Sequence, residues 1–355
     1  MLITHPEQSQ QTIVVAGVDT HKDTHHAAVL DLAGRTLAIE QFPASPAGYR
    51  QLLAFVAAHG VIDKIGIELT GSYGAGLTRH LSAAGVTVME VNTTDKATRA
   101  RRGKDDAIDA VAAAQKTLSG MASATPKDTT GATEAIRLLT AVRDLAVKQR
   151  TQAMNQVHAH LVTAPEQLRE PLRGLPRAAL LRALRGLRPD RARLAEPAQA
   201  AKAALRALAE RIRALDAEIT TADADLTALV AATAPTLLAR PGVGVHTAAR
   251  FLITAANNID RLHNSAAFAR LCGAAPVPVS SGKTHRMRLH RGGDRQANRA
   301  LHMIIIGRMK NDPRTQAYVA KKLAEGHSKR DAIRALKRYL CREILAALKH
   351  DLNPT

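Results

Sequence analysis

The hydrophobic period of the chain changes once, near residue 133, and that change limits the possible folds more than any other feature. Before it, apolar runs of strand length alternate with helical segments. IVVAGV (13–18) predicts a buried strand ending on Asp19. HHAAVLDL (25–32) and TLAIEQF (36–42) flank Ala33-Gly34-Arg35, a hairpin signal. Residues 46–59 open on a proline and carry Leu52, Leu53 and Val56 at helical spacing. KIGIEL (64–69), GLTRHLSAAG (76–85), VTVMEV (86–91) and the Ala-rich DDAIDAVAAAQKTL (105–118) continue as strand, helix, strand, helix. Strands alternating with helices in this order imply a mixed or parallel sheet covered by helices.

Beyond residue 133 the pattern is helical. Residues 133–163 form one long amphipathic run, and 165–197 are Arg-rich and broken by five prolines, as a short-helix or loop insertion would be. Leu205, Leu208, Ile212, Leu215, Ile219, Ala222, Leu226 and Leu229 then follow a heptad seam. Such a seam suits a coiled coil, between chains or in a hairpin, and equally a long helix packed inside its own domain. The expected organisation is an α/β domain over 1–130, a long-helix coiled-coil region with the Pro/Arg-rich insertion over 131–234, and an all-α domain over 235–355.

Charge follows the same division. Residues 1–135 carry 12 Lys and Arg against 14 Asp and Glu, whereas 136–355 carry 38 against 17. A positive field of that size draws a polyanion through phosphate contacts and counterion release. No apolar run is long enough for a membrane span, and MLITHPEQSQQ lacks the layout of a secretion signal. Cys272 and Cys341, the only cysteines, are too few for a disulfide framework or a zinc knuckle. A cytoplasmic, nucleoid-associated protein without membrane contact is the expectation. Four Phe, four Tyr and no Trp leave phosphate and shape contacts as the main source of nucleic-acid affinity.

The acidic residues of the first third carry the chemistry. Asp19 ends one predicted strand and Glu68 another, while Asp106 and Asp109 share a face of the 105–118 helix. Carboxylates at strand ends converge at one edge of a sheet. Hard oxygen donors in such a group suit Mg²⁺ or Mn²⁺, which serve phosphodiester chemistry. Each acid also has a plainer role open to it: a turn cap, an ion pair, or a complement to a helix N-terminus. Asp105 and Asp23 are alternatives by spacing. The Gly-Val-Asp-Thr-His-Lys strand end also fits the first phosphate loop of actin-like kinases, but no second Asp-Gly loop and no Gly-rich adenosine motif follow.

In the last third, PGVGVHTA (241–248) places Gly242 and Gly244 in a turn opening a helix. This is the form of a helix-hairpin-helix turn, whose backbone N–H groups hold phosphates; an ordinary interhelical turn reads the same way. Ser281-Gly282 follows Pro276 and Pro278, with Lys283, Arg286, Arg288, Arg291, Arg295 and Arg299 close behind. A loop serine beside many cations could attack a phosphate. From spacing alone, an ordinary Ser-Gly turn beside a phosphate-binding surface is the better fit.

Five stretches, in this order, carry a resemblance: GVDTHKDTHHAAVLD (17–31), IELTGSYG (67–74), KDDAIDA (104–110), RPGVGVHTA (240–248) and GAAPVPVSSGKTHRMR (273–288). The chain resembles the DEDD-type insertion-sequence transposases, the RNA-guided bridge recombinases related to the pilin-gene invertases. The resemblance implies an RNase H-like, RuvC-like fold for the first domain, with Asp19, Glu68, Asp106 and Asp109 as its metal-binding acids and Lys104 beside them. Counting from Pro276, it places the nucleophilic serine on Ser281 rather than Ser280. It further implies a covalent phosphoserine link to DNA, a site composed from two domains, a structured guide RNA, and a homodimer or homotetramer joined by the coiled coil. Arg288-Leu289-His290-Arg291 and the 165–197 insertion depart from the family's pattern. A RuvC-like nuclease or junction resolvase without serine chemistry, and a non-catalytic basic scaffold for RNA or DNA, are the other readings.

Overall fold

The computed structural model describes residues 12–92, 105–255, 259–282, 284–290 and 292–352. It divides into two compact units, Met1–Thr129 and Thr130–Thr355. The first holds strands β1 (Ile13–Thr20), β2 (Thr24–Asp31), β3 (Thr36–Pro43), β4 (Val61–Glu68) and β5 (Val88–Val91) in one sheet ordered β3-β2-β1-β4-β5. The β1–β2 and β2–β3 pairs are antiparallel; β1–β4 and β4–β5 are parallel. Gly34 turns the β2–β3 hairpin at φ 81°, a conformation glycine takes without Cβ strain.

Helices α1 (Pro46–Ala57) and α2 (Ala75–Ala83) cover one face of the sheet, and α3 (Asp106–Leu118) covers the other. Ser45 caps α1 by accepting from Gly48 N, and Pro46 starts it, where a missing N–H costs nothing. Leu52, Val56, Leu77 and Leu81 close over Val14, Ala16, Val18, Ile65 and Ile67. Complete burial of side chains this size stabilises by about 1.5–3 kcal/mol each.

The second unit begins with two long helices, α4 (Gly131–Thr163) and α7 (Pro197–Thr233). Between them lie the short helices α5 (Glu166–Arg169) and α6 (Arg177–Arg185). α4 and α7 run antiparallel: Arg143 pairs with Asp223 at 2.7 Å, and Arg150, further along α4, pairs with the earlier Asp216 at 2.9 Å. The seam side chains Leu205, Ile212, Leu215, Ile219 and Leu226 are buried, and α4 residues Ile136, Ala146, Ala153 and Val157 share their clusters. The heptad pattern is therefore filled from within the same chain.

The rest of this unit contains α8 (Pro235–Leu238), α9 (Val245–Ala255), α10 (Ser265–Leu271), α11 (Arg295–Asn311), α12 (Pro313–Ala324) and α13 (Lys329–Leu352). The all-α expectation fails at one place. β6 (Pro276–Ser281) and β7 (Thr284–Leu289) form an antiparallel hairpin. Its prolines, two residues apart, fall on one side of the strand, where a two-stranded ribbon leaves N–H groups unused. Cys272 and Cys341, distant in sequence, are both fully buried and their thiols meet; this contact, with burial, pushes the Cys272 thiol far up. Neither should react with an alkylating reagent until the chain unfolds, whereupon both should, as mass spectrometry can count.

Candidate functional site

Side chains alternate across a strand. In β1, Val14, Ala16 and Val18 enter the core under α1 and α2, so Gly17 and Asp19 face α3. In β4, Ile65 and Ile67 enter that core, so Gly66 and Glu68 face α3. His26 pairs with Asp19 across β2 and shares its side. Gly17 and Gly66 are themselves register partners. A Cβ on Gly17 would lie 2.0 Å from Ala114 N and 2.5 Å from Ala110 O, and one on Gly66 would lie 1.8 Å from Thr117 Oγ1. The helix rests on bare strand backbone, and its buried stripe of Ala110, Ala113 and Ala114 has no bulk to hold it off. The Ala-rich composition of 105–118 thus has a packing cause.

That close docking sets the first turn of α3 over the ends of β1 and β4. Asp105 caps the helix, its carboxylate accepting from Ala107 N at 3.0 Å. Asp106 and Asp109 stand in the first turn, where negative charge is favoured by the helix dipole. Asp19 is 6% exposed, Glu68 2% and Asp109 9%. Burial pushes the Asp19 carboxyl above its ordinary range; His21 works against the rise, and the nearby Asp109 and Asp106 add to it. Thr20 Oγ1 donates to the Glu68 carbonyl at 2.9 Å and ties the two strand ends together. Leu69, next in the chain, has φ 54°, the positive value unique among the described non-glycine residues. Such backbone strain persists only where surrounding structure over-determines it.

One participant was not singled out from the sequence. His21 Nε2 lies 3.1 Å from Asp19 Oδ2 and 3.2 Å from Asp106 Oδ1, and His26 Nδ1 lies 3.9 Å from Asp106 Oδ2. Asp19, His21 and Asp106 each offer an atom within one 4.8 Å group. The only sequence signal was a histidine two residues past a strand-end aspartate. The donor set fits a hard divalent cation: a buried carboxylate whose ionisation is opposed by burial and by two acidic neighbours is relieved by positive charge. Of the alternatives by spacing, Asp105 is engaged as the cap and Asp23 is exposed outside the group.

Residues 16–164 match a DEDD transposase family of the IS110 type, described as Transposase, and residues 234–320 match the Transposase IS116/IS110/IS902 family. The chain carries transposase domains of the IS110/IS116/IS902 family. A protein of insertion element IS110 in Streptomyces coelicolor is 34% identical over 148 residues, 41% of this chain and 35% of that relative's length. A protein of insertion element IS900 in Mycobacterium paratuberculosis is 26% identical over 95% of this chain and 96% of its own length. All four acids fall inside the first matched segment, and Ser281 falls inside the second.

The remaining sequence-derived positions belong to the second unit, apart from Lys104, which with Lys283 and Arg291 lies outside the described residues. Ser281 is exposed at the tip of the β6–β7 hairpin, opposite Thr284 and before Gly282, whose φ is 55°. Ser280 is exposed one residue earlier, on the opposite face of the strand by alternation. Arg286 and Arg288 pair with Val279 and Val277, and Arg288, Arg295 and Arg299 are solvent-accessible. Gly242 turns at φ 73° before α9, and Gly244 N donates to Thr247 Oγ1 at 3.0 Å. Arg308 braces this turn, donating to Pro241 O at 2.7 Å while pairing with both carboxylate oxygens of Glu343. No helix of the described residues is long and apolar enough to cross a membrane.

Proposed function

We propose that this chain cuts and rejoins the DNA of an insertion element, with Mg²⁺ or Mn²⁺ held by Asp19, Glu68, Asp106 and Asp109. One observation carries the reading: a buried aspartate sits at the end of the central strand, in electrostatic contact with the two acids of a closely docked helix. The strand order, three antiparallel strands followed by two parallel ones, supports an RNase H-like, RuvC-like first unit. The matched transposase domains supply the reaction class. A bound divalent cation supplies charge stabilisation at the reacting phosphate and acidifies the attacking hydroxyl. The chain's own residues hold the geometry: α3 fixes two acids over the strand ends, and His21, lying between Asp19 and Asp106, orients both.

Ser281 is the proposed nucleophile. Its Oγ forms a bond to a DNA phosphorus while one phosphorus–sugar oxygen bond breaks; the serine proton is lost and the departing sugar oxygen gains one. Attack by a strand hydroxyl then expels the serine and seals the strands. Exposure at a hairpin tip supports this role. Gly242, Gly244, Lys104, Lys283, Arg286, Arg288, Arg291, Arg295 and Arg299 are assigned to nucleic acid, which includes a structured guide RNA. Since α4 fills the α7 seam, a dimer or tetramer would have to use another surface; light scattering reads the copy number.

Strand exchange with DNA, RNA and Mg²⁺ is expected to fall by about 100-fold or more in Asp19→Ala, Glu68→Ala and Ser281→Ala. Normal activity in all three would end the proposal. A second reading, a metal-dependent nuclease or resolvase without serine chemistry, is favoured by the location of all four acids in one unit that lacks Ser281. Denaturing electrophoresis separates the two: a protein–DNA adduct lost in Ser281→Ala supports the transposase, whereas cleavage with no adduct supports the nuclease.

A further inference from the structure

The N-terminal half of α13 is the most densely cationic helix face of the second unit. Lys329, Arg330, Arg334, Lys337, Arg338 and Arg342 lie within fourteen residues that contain one acid, Asp331. Arg334, Arg338 and Arg342 are four apart and therefore form one stripe. Arg334 and Arg342 are exposed and Arg338 is half-buried. Together with Arg288 of β7 they line a cleft of about 410 Å³ between the hairpin and α13. That volume lies in the range of small-ligand sites, about 300–1,000 Å³.

The cleft has two chemically distinct parts. Its floor and walls are apolar, from Ala274, Ala275, Pro276, Ala335 and Met287. The rest of its lining is four guanidinium groups, the carboxylate of Asp331 and the ring of Tyr339, which is 54% exposed. Met287 is 68% exposed. Tyr339 meets Tyr318 edge-on at 5.8 Å and remains accessible. Arg334 pairs with Asp331 at 3.1 Å. Arg338 donates to the carbonyl and hydroxyl oxygens of Ser265. Among the described residues no carboxylate reaches Arg288, Arg338 or Arg342 to form an ion pair. Asp331, which also lines the cleft, is paired with Arg334, so three further cations stand around an apolar hollow with one aromatic ring and no ion-pair partner of their own.

An isolated phosphate would use the guanidinium groups and leave the floor and the ring bare. A fully paired duplex would present phosphates and keep its bases stacked out of reach. A nucleotide that is unpaired satisfies both parts, with its base on the apolar floor against Tyr339 and its phosphates between the arginines. We propose that the β7–α13 cleft holds one unpaired nucleotide of the nucleic-acid partner. This cleft shares no residue with the proposed serine or the four acids. It rests on the preceding reading only for the kind of partner.

The test is binding of the full chain, in EDTA so that metal chemistry does not enter, to labelled single-stranded DNA, single-stranded RNA and duplex DNA. Tyr339→Ala is expected to weaken binding of at least one single strand by about 10-fold and to leave duplex binding unchanged. Tyr339→Phe, which keeps the ring, should bind as the parent does. Arg288→Gln and Arg342→Gln should weaken single-strand binding and reduce its salt dependence by about one phosphate contact each. The stronger of the DNA and RNA effects identifies which strand supplies the nucleotide. Circular dichroism melting verifies that each variant folds. Unchanged single-strand binding in folded Tyr339→Ala, or an equal loss for duplex, would overturn the proposal. Because no cleavage is read, failure of the metal or serine assignment leaves this result intact, and the reverse also holds.

Discussion

Gly17→Ala is expected to destabilise the first unit by about 3 kcal/mol and to abolish its response to Mg²⁺. The added methyl would meet Ala114 N at 2.0 Å and Ala110 O at 2.5 Å. Both are backbone atoms of α3, so no neighbouring side chain can turn away to make room. The helix must lift, and the acids of its first turn move with it. Gly66→Ala provides the contrast. Its methyl meets Thr117 Oγ1 at 1.8 Å and Val91 Cγ2 at 2.8 Å, both side-chain atoms. Thr117→Ala added to Gly66→Ala should therefore recover part of the stability, while no such partner exists for Gly17→Ala. Thermal melts of the full chain with and without Mg²⁺ read both effects. A Gly17→Ala chain that melts as the parent does and retains its Mg²⁺ shift would show that the helix has another way to dock.

Asp19→Asn should stabilise the metal-free chain and remove its stabilisation by metal. The raised pKa of Asp19 means that its folded form holds a proton more tightly than the unfolded chain, whose value is near 3.8. Stability in EDTA therefore falls as pH rises from that ordinary value through the raised one, and remains lower above it. Asparagine cannot ionise, so this fall should shrink, with a gain of about 1 kcal/mol, or roughly 2 °C, at neutral pH. With Mg²⁺ the order should invert: the parent gains stability from the cation as pH rises and the acids ionise, and the variant gains little. A variant no more stable than the parent in EDTA, and equally raised by Mg²⁺, would place the cation elsewhere.

The α/β order of the first unit was legible because its signals are local. Apolar runs of strand length, the Pro46 helix start and the Ala33-Gly34-Arg35 turn act over a few residues, and the structure forms its elements there. The hairpin at 276–289 was not legible. Two prolines and a Ser-Gly pair read as loop, since the edge that tolerates Pro276 and Pro278 exists only after β7 pairs with β6. The seam of α7 was visible as a pattern, but its partner was not. Apolar seam positions such as Ile212 and Leu215 want burial of any kind, and only the antiparallel return of α4 decides what buries them.

The candidate site divides in the same way. Sequence alone supplied the residue types: carboxylates at two strand ends and on one helix face, in an acidic segment ahead of a basic one. It determined the chemistry available, because charge and hydrogen-bonding capacity belong to the residue. Tertiary structure decided which groups meet. The Gly17–Gly66 pair lets α3 approach the sheet, His21 comes between Asp19 and Asp106, and Asp105 is taken up as a cap. Cys272 and Cys341 become neighbours, and Arg288 joins the stripe on α13. Each of these depends on distances between residues remote in the chain. Local spacing does not contain those distances; they are set when the helices and the sheet pack.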